Sequence, residues 1–136
     1  MLISTKGRYA LRIMIDLAQH QNEGYIPLKD IAMRQEISEK YLESIISTLS
    51  KGRFVSGIRG KGGGYKLTRK IEDYTVGSIV ELTDKTLSPV SCLEHKENYC
   101  ERAPQCKTLP VWEKLDQLIH DYLNSVTLKD VLEGNV

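Results

Sequence analysis

The segment LKDIAMRQEISEKYLESIISTLSKGRFVSGIRGKGGGYKL, residues 28–67, decides the fold. Its first part has the apolar spacing of two short helices, with a turn at residues 35–37 and Ser38 as the cap of the second helix. Its last part predicts two short strands, residues 54–58 and 65–67, joined by a basic, glycine-rich tip. Two helices followed by such a hairpin are typical of a winged helix-turn-helix, in which one helix enters the DNA major groove.

The helix that follows Ser38 has two different faces. Its apolar stripe comprises Tyr41, Leu42, Ile45, Ile46 and Leu49, and its opposite face carries Glu39, Lys40, Glu43, Ser44, Ser47 and Thr48. Glu43 could accept a hydrogen bond from a cytosine amino group, and Lys40 could reach guanine or a phosphate. We interpret this face as a DNA-reading surface, because a wing follows it. The pair Lys51–Gly52 predicts a helix end with a left-handed glycine.

The hairpin tip reads RGKGGG, residues 59–64. Its glycines allow positive backbone angles and close approach, and Arg59 is the side chain expected in a narrow minor groove. The tip is not a nucleotide-binding loop, because it lacks the Gly-Lys-Ser/Thr ending and the helix that must follow. The histidines, His20, His95 and His120, are scattered, and no catalytic constellation is visible. The sequence therefore predicts a protein that is not an enzyme.

The rest of the chain predicts further helices. A first helix over Ser4–His20 has apolar residues on more than one face, which indicates burial on two sides. The longest amphipathic helix runs over Pro110–Val126, and a short last helix covers Leu128–Glu133. The expected fold is mostly α with a small β-hairpin wing. Residues 1–70 form the winged helix-turn-helix, and residues 71–136 form a loop and helices of the same single compact domain.

Charge divides the chain in two. The total is +1, but residues 1–70 carry +7 and residues 71–136 carry −6. Because the basic half coincides with the helix-turn-helix pattern, a polyanion such as DNA is its expected partner. The sequence shows no signal peptide and no long apolar run, so we expect a cytoplasmic protein with no membrane association and with reduced thiols.

Three cysteines lie in the aperiodic segment of residues 87–110. They are Cys92, Cys100 and Cys106, separated by seven and five residues. An odd count is awkward for a disulfide framework and natural for a metal site, and irregular spacing suits an iron–sulfur cluster better than a tight zinc knuckle. Three unligated thiols are the alternative. The fourth ligand stays open among His95, Glu94, Glu97, Glu101 and a residue of a partner subunit.

Several motifs resemble the Rrf-type family of bacterial transcription regulators. They are ISTKGRYA at residues 3–10, ISEKYLE at 37–43, VSGIRG at 55–60 and GGGY at 62–65. The likeness spans nearly the whole chain. It implies a homodimer joined through the helix over Pro110–Val126, and recognition of a roughly palindromic promoter site on double-stranded DNA by two winged domains.

The resemblance also implies site residues. The family's groove-facing positions fall on Lys40, Glu43 and Ser44, and its minor-groove wing residue falls on Arg59. Together with the residues around them, the expected DNA-contacting set is Lys6, Arg8, Ser38, Glu39, Lys40, Tyr41, Glu43, Ser44, Ser47, Arg59, Gly60 and Lys61. The family's cluster cysteines fall on Cys92, Cys100 and Cys106, with a 2Fe–2S cluster favoured over a 4Fe–4S cluster. The family's histidine ligand, three residues after the last cysteine, is replaced here by Leu109, which leaves His95 as a weak substitute.

The function expected from these residues is a repressor that senses iron, cluster supply or redox stress. Two alternatives stay open within the same fold. One is a family member that regulates cysteine and sulfur metabolism or responds to nitric oxide. The other is a DNA-binding module stabilised by zinc, with no sensing role. A small electron carrier that happens to contain a winged fold is a third class, and no substrate pocket in the sequence favours it.

Overall fold

The computed structural model describes residues 3–136, and within that range the chain forms six α-helices and one two-stranded antiparallel sheet. The elements are α1 (Thr5–Gln19), α2 (Leu28–Gln35), α3 (Glu39–Lys51), β1 (Val55–Ile58), β2 (Gly64–Leu67), α4 (Val76–Asp84), α5 (Leu109–Ser125) and α6 (Leu128–Glu133). Short 3-10 turns fill several of the connections. The mostly α fold with a β-hairpin wing, predicted from the sequence, is confirmed.

Side chains cap several helix starts, and the cap predicted at Ser38 is confirmed. The Ser4 side chain accepts a hydrogen bond from the Gly7 amide, and the Ser38 side chain accepts one from the Tyr41 amide. Each cap satisfies an amide that has no partner inside its own helix. Helix α2 begins directly after Pro27, and α6 begins with a full capping box on Thr127.

The main core lies between α1, α3 and the root of the wing. It includes Ile13, Met14, Leu42, Ile45 and Leu49, all of which are fully buried. The two-sided apolar character of α1 is used within the chain, because α1 packs against both α3 and α4. A smaller cluster of Val76, Val80, Leu87 and Val126 joins α4 to the end of α5.

The wing is attached to this core by backbone hydrogen bonds and by one buried tyrosine. The Tyr74 hydroxyl donates to the Phe54 carbonyl at 2.7 Å and accepts from the Thr68 and Arg69 amides at 3.0 and 3.1 Å. At the other end of β2, the backbones of Tyr65 and Ile26 exchange two hydrogen bonds of 2.8 and 2.9 Å. The wing position is therefore set by the residues before α2 and before α4.

The predicted left-handed glycine at the end of α3 is wrong. Gly52 has a right-handed φ of −78°, and Arg53 is the left-handed residue, with a φ of 62°. A Cβ atom on Gly52 would lie 2.6 Å from a methyl group of Leu82 on α4. Gly52 therefore lies against the Leu82 side chain of α4, and a Cβ atom there would require that side chain to move.

Helix α5 is the least covered element. None of its residues is buried, and its apolar side chains Val111, Trp112, Leu115, Leu118 and Tyr122 are 37–58% exposed. The helix packs on α4 through its last turns, where Asn124 lies against Gly77. None of the helices in residues 3–136 combines the length and apolar character that a membrane crossing requires.

Candidate nucleic-acid interface and cysteine segment

Helix α3 presents its predicted reading face to solvent. The side chains of Ser38, Glu39, Lys40, Glu43, Ser44 and Ser47 are all exposed, whereas Leu42, Ile45, Ile46 and Leu49 are buried beneath them. Tyr41 lies at the border and is half-buried, with its ring edge-on to Tyr9 at 5.8 Å between centroids. The exposed face holds two carboxylates, one ammonium group and short hydroxyl groups, a set able to exchange hydrogen bonds with base edges.

A buried carboxylate fixes the turn in front of this helix. Asp16 of α1 is 1% exposed and accepts two hydrogen bonds from the Arg34 guanidinium, at 2.8 and 3.0 Å. The Gln35 amide donates a third hydrogen bond to Asp16, at 2.9 Å. Arg34 and Gln35 are the last two residues of α2, so these bonds hold the helix-turn-helix against α1. A bidentate Arg–carboxylate pair constrains direction as well as distance.

The pKa of Asp16 reflects this arrangement. Burial alone would raise the pKa, but the hydrogen bonds from Arg34 and Gln35 and the charge of Arg34 outweigh burial, so the pKa lies below its usual value. Sequence reasoning missed this residue. The available signal was a charged side chain inside the apolar stripe of the first helix, between Ile15 and Leu17, because such a position demands a partner.

A second contact reaches the same turn from the outer face of α1. Arg12 donates to the Gln35 backbone carbonyl at 2.8 Å and to its side-chain oxygen at 3.1 Å. The Arg12 guanidinium also lies 4.6 Å from the centroid of the Tyr9 ring. Because Tyr9 contacts Tyr41, one row of side chains runs from the α2–α3 turn to the first turn of α3.

The amino-terminal turn of α1 lies beside α3 and carries the predicted cations Lys6 and Arg8. The Lys6 ammonium donates to the Thr48 hydroxyl of α3 at 2.9 Å. Arg8 is exposed, and within residues 3–136 its guanidinium donates to the Thr5 hydroxyl of the same turn at 3.2 Å. The structure therefore brings Lys6 to α3 and leaves the Arg8 side chain exposed to solvent.

The wing tip is a tight glycine turn. Arg59, Gly60 and Lys61 are exposed, and the Gly63 amide donates to the Gly60 carbonyl at 2.9 Å. Gly60 and Gly62 have φ angles of 91° and 78°, which favour glycine. The positive φ angles expected from the glycine-rich sequence are confirmed. The tip leaves the two cationic side chains projecting from a narrow hairpin.

The three cysteines are free thiols in the segment between α4 and α5. Cys92 and Cys106 are partly exposed, and Cys100 is exposed. The Cys106 sulfur lies 3.4 Å from the Thr108 hydroxyl, and this contact is the main cause of a lowered Cys106 pKa. The segment contains only short turns, Ser91–Leu93 and Ala103–Gln105.

These donors fit a thiolate-bound metal or cluster by their chemistry. No disulfide consumes them, and soft sulfur ligands suit zinc and iron–sulfur groups. In residues 3–136 no three Cys, His, Asp or Glu side chains lie together as a metal-binding group. His95 is exposed and packs edge-on against Tyr99 instead. Ligation therefore requires the segment to close around the bound group.

Comparison with known proteins identifies relatives along the whole chain. A family model described as "Iron-dependent Transcriptional regulator", Rrf2, matches residues 3–134. The HTH-type transcriptional regulator IscR of Erwinia tasmaniensis is 39% identical over 134 residues, covering 98% of this chain and 80% of that protein. The IscR protein of Photobacterium profundum is 37% identical, covering 99% of this chain and 77% of its own length.

Solved structures agree with this assignment. T. potens IscR has a TM-score of 0.77 at 39% identity, covering 100% of this chain and 89% of that chain. The B. subtilis protein CymR, described as the global cysteine regulator, has a TM-score of 0.78 at 37% identity, covering 96% and 95% of the two chains. The winged helix-turn-helix, the family model and the relatives lead to one assignment: this chain belongs to the Rrf2 family of transcriptional regulators.

Proposed function

We propose that this chain is a dimeric repressor that binds promoter DNA and responds to an iron–sulfur cluster held by Cys92, Cys100 and Cys106. The observation that carries the proposal is the position of the three free thiols. They lie in one irregular segment that joins α4, which packs on the DNA-binding half, to the exposed helix α5. A ligand that orders this segment can change how the two parts sit together.

The proposed DNA contacts form one surface. The polar face of α3 would enter the major groove, Arg59 and Lys61 of the wing would reach the adjacent groove or phosphates, and Lys6 and Arg8 would meet the backbone. The net charge of +7 on residues 1–70 supports the same assignment. Contacts to phosphates supply most of the affinity of such proteins, and base-edge contacts supply the sequence preference.

The proposed partner of α5 is a second copy of this chain. Leu118 and Tyr122, in the middle and last part of the helix, are 53% and 56% exposed, an unusual state for large apolar side chains along one helix. Pairing two copies of α5 would bury the exposed apolar side chains of both helices. It would also place two copies of α3 on one DNA duplex. A solution mass of two chains, measured by light scattering, is the expected result, and a mass of one chain would contradict it.

When bound, an iron–sulfur cluster supplies a group whose presence depends on iron, sulfide and redox state. The chain contributes three thiolate ligands and a segment able to close. This segment leaves α4 directly after Asp84, whose carboxylate bonds to Ser4 at the start of α1. Closing the segment around the cluster would shift the population toward the arrangement of α1 and α4 that binds the cluster more tightly. The size of this shift is limited by the difference in cluster affinity between the arrangements.

The cysteine assignment predicts a spectroscopic change. Cys106→Ala is expected to abolish visible absorbance in protein purified without air, because a cluster that loses one of its few thiolate ligands is no longer retained. Ser91→Ala, an exposed substitution in the same segment, should leave the absorbance unchanged. Iron and sulfide are counted on the same samples. Retained colour in Cys106→Ala would show that this ligand is wrongly assigned.

A second function is supported by the similarity to CymR and by the separation of the thiols. In this alternative the chain regulates cysteine or sulfur metabolism without a cluster. The same experiment distinguishes the two, because wild-type protein would then be colourless, free of iron and sulfide, and still able to bind DNA. A zinc-stabilised module would also be colourless, but would contain zinc by metal analysis.

A further inference from the structure

A polar cleft of about 610 Å³ separates the start of α1 from the first part of the cysteine segment. Ser4 and Lys6 line it from α1, Thr83 and Asp84 from the end of α4, and Ser88 and Glu94 from the segment. Nothing in the DNA-binding surface described above uses Asp84. Its position, however, connects three parts of the molecule: α4, the amino-terminal turn of α1 and the segment that follows α4.

The Asp84 carboxylate holds the first turn of α1. One of its oxygens accepts from the Ser4 amide at 3.0 Å, and the other accepts from the Ser4 hydroxyl. The same Ser4 hydroxyl accepts from the Gly7 amide at 2.8 Å and caps α1. Gly7 has no side chain, and a Cβ atom there would lie only 3.0 Å from an Asp84 oxygen. Asp84 therefore packs directly on the backbone of this turn.

Lys6 belongs to the same turn, and its side chain links this turn to α3. Its ammonium reaches the Thr48 hydroxyl of α3 at 2.9 Å, and its side chain is half-buried. Because Asp84 fixes the turn and Lys6 projects from it, the location of this ammonium on the recognition helix depends on Asp84. A charge-assisted hydrogen bond is stronger and shorter than a neutral one, and suits such a fixing role.

We infer that Asp84 is a positioning residue for DNA binding, and that it acts by holding Lys6 on the DNA-facing side of α3. The inference rests on the proposed role of Lys6 in contacting DNA. The charge of Asp84 and its contact with the turn predict opposite effects on DNA binding when its carboxylate is removed. Removing a carboxylate near a polyanion should strengthen binding, whereas releasing the turn that carries Lys6 should weaken it.

The experiment measures binding of metal-free protein to a duplex enriched from a random-sequence library by the wild-type chain. Asp84→Asn is expected to weaken binding roughly three- to tenfold. The slope of log affinity against log salt concentration should also become shallower by about one, the change expected for the loss of one phosphate contact. The matched control is Asp73→Asn, the same change at an exposed aspartate in the turn Ile71–Asp73. It should bind as tightly as wild type, or slightly more tightly.

A double-mutant cycle tests the route through Lys6. Lys6→Ala should lower affinity and salt slope by similar amounts, and Asp84→Asn should then have no further effect in the Lys6→Ala background. Ser4→Ala should reproduce Asp84→Asn, and Ser4→Thr, which keeps the hydroxyl, should restore wild-type binding. Thermal unfolding of each variant checks that it remains folded. If Asp84→Asn does not fold, the comparison of Ser4→Ala with Ser4→Thr still tests the inference.

The outcomes separate the inference from the proposal it rests on. If Lys6→Ala weakens binding but Asp84→Asn behaves like Asp73→Asn, Asp84 does not position Lys6 and the inference is wrong, while the proposed surface stands. If Asp84→Asn weakens binding with an unchanged salt slope, its role is structural and the inference is also wrong. If Lys6→Ala binds normally, both the role of Lys6 and the inference fail.

Discussion

Arg34→Met is expected to lower the free energy of unfolding by about 3 kcal/mol, because it leaves the buried Asp16 carboxylate without its charged partner. Breaking one side of a buried ion pair costs roughly 3–5 kcal/mol, and the lower end applies because the Arg34 side chain is 35% exposed. Gln35 still donates one hydrogen bond to Asp16. Urea denaturation at neutral pH measures the effect.

The expected loss of stability depends on which partner of the Asp16–Arg34 pair is removed. Asp16→Asn should cost less than Arg34→Met, since the arginine can turn to solvent whereas the carboxylate cannot. Lys29→Met, which removes an exposed cation from the same helix, should change stability by less than about 0.5 kcal/mol. An Arg34→Met variant as stable as Lys29→Met would mean that the Asp16 pair does not hold the helix-turn-helix.

The same pair predicts a pH dependence. The pKa of Asp16 is lowered in the folded chain from a usual value of 3.8, so its contribution to stability is present above pH 3.8 and is lost as pH falls through the folded value. Without Arg34, its hydrogen bonds and its charge no longer lower the pKa, so the pKa of Asp16 in Arg34→Met lies above its wild-type value. The stability difference between wild type and Arg34→Met should therefore shrink as pH falls through the interval between the folded Asp16 pKa values of the two proteins. His20, whose ring nitrogen lies 3.7 Å from an Asp16 oxygen, is present in both proteins.

Gly64→Ala is expected to displace the wing and to weaken DNA binding by more than about tenfold. A Cβ atom at this position would lie 2.3 Å from the Ile26 carbonyl oxygen, and the backbone φ of 154° is unfavourable for other residues. Overpacking of this kind costs roughly 1–3 kcal/mol. The variant should lose the paired hydrogen bonds between Tyr65 and Ile26, and with them the fixed position of Arg59.

Two further variants separate wing position from wing chemistry. Gly62 also has a positive φ, 78°, but there is open space around it. Gly62→Ala should therefore lower stability by only about 1 kcal/mol and leave the wing docked. Arg59→Ala keeps the wing in place and should weaken binding by roughly 1–3 kcal/mol if this side chain reads a groove. Amide hydrogen exchange at Tyr65 and Ile26 reports docking. Slow exchange there in Gly64→Ala would contradict the predicted displacement.

The positions of the helices and of the hairpin turn could be predicted because their signals are local. The Ser38 cap and the apolar stripe of α3 are decided by residues at most four positions apart, and the glycines of the tip favour positive φ angles in any surroundings. The same locality explains the failure at Gly52. A glycine after a lysine usually marks a left-handed helix end. Here Arg53 is the left-handed residue, and Gly52 lies against Leu82, thirty residues further along the chain.

By itself, the sequence determined the winged helix-turn-helix, the polar face of α3, the basic tip and the three thiols in one segment, because spacing and composition encode them directly. Only the tertiary structure decided that Asp16 binds Arg34, that Asp84 holds Ser4 and that Gly64 lies against Ile26. These contacts join residues 18 to 80 positions apart. Such partners are selected by burial and by close approach of the backbone, which depend on how the whole chain packs and not on any local pattern.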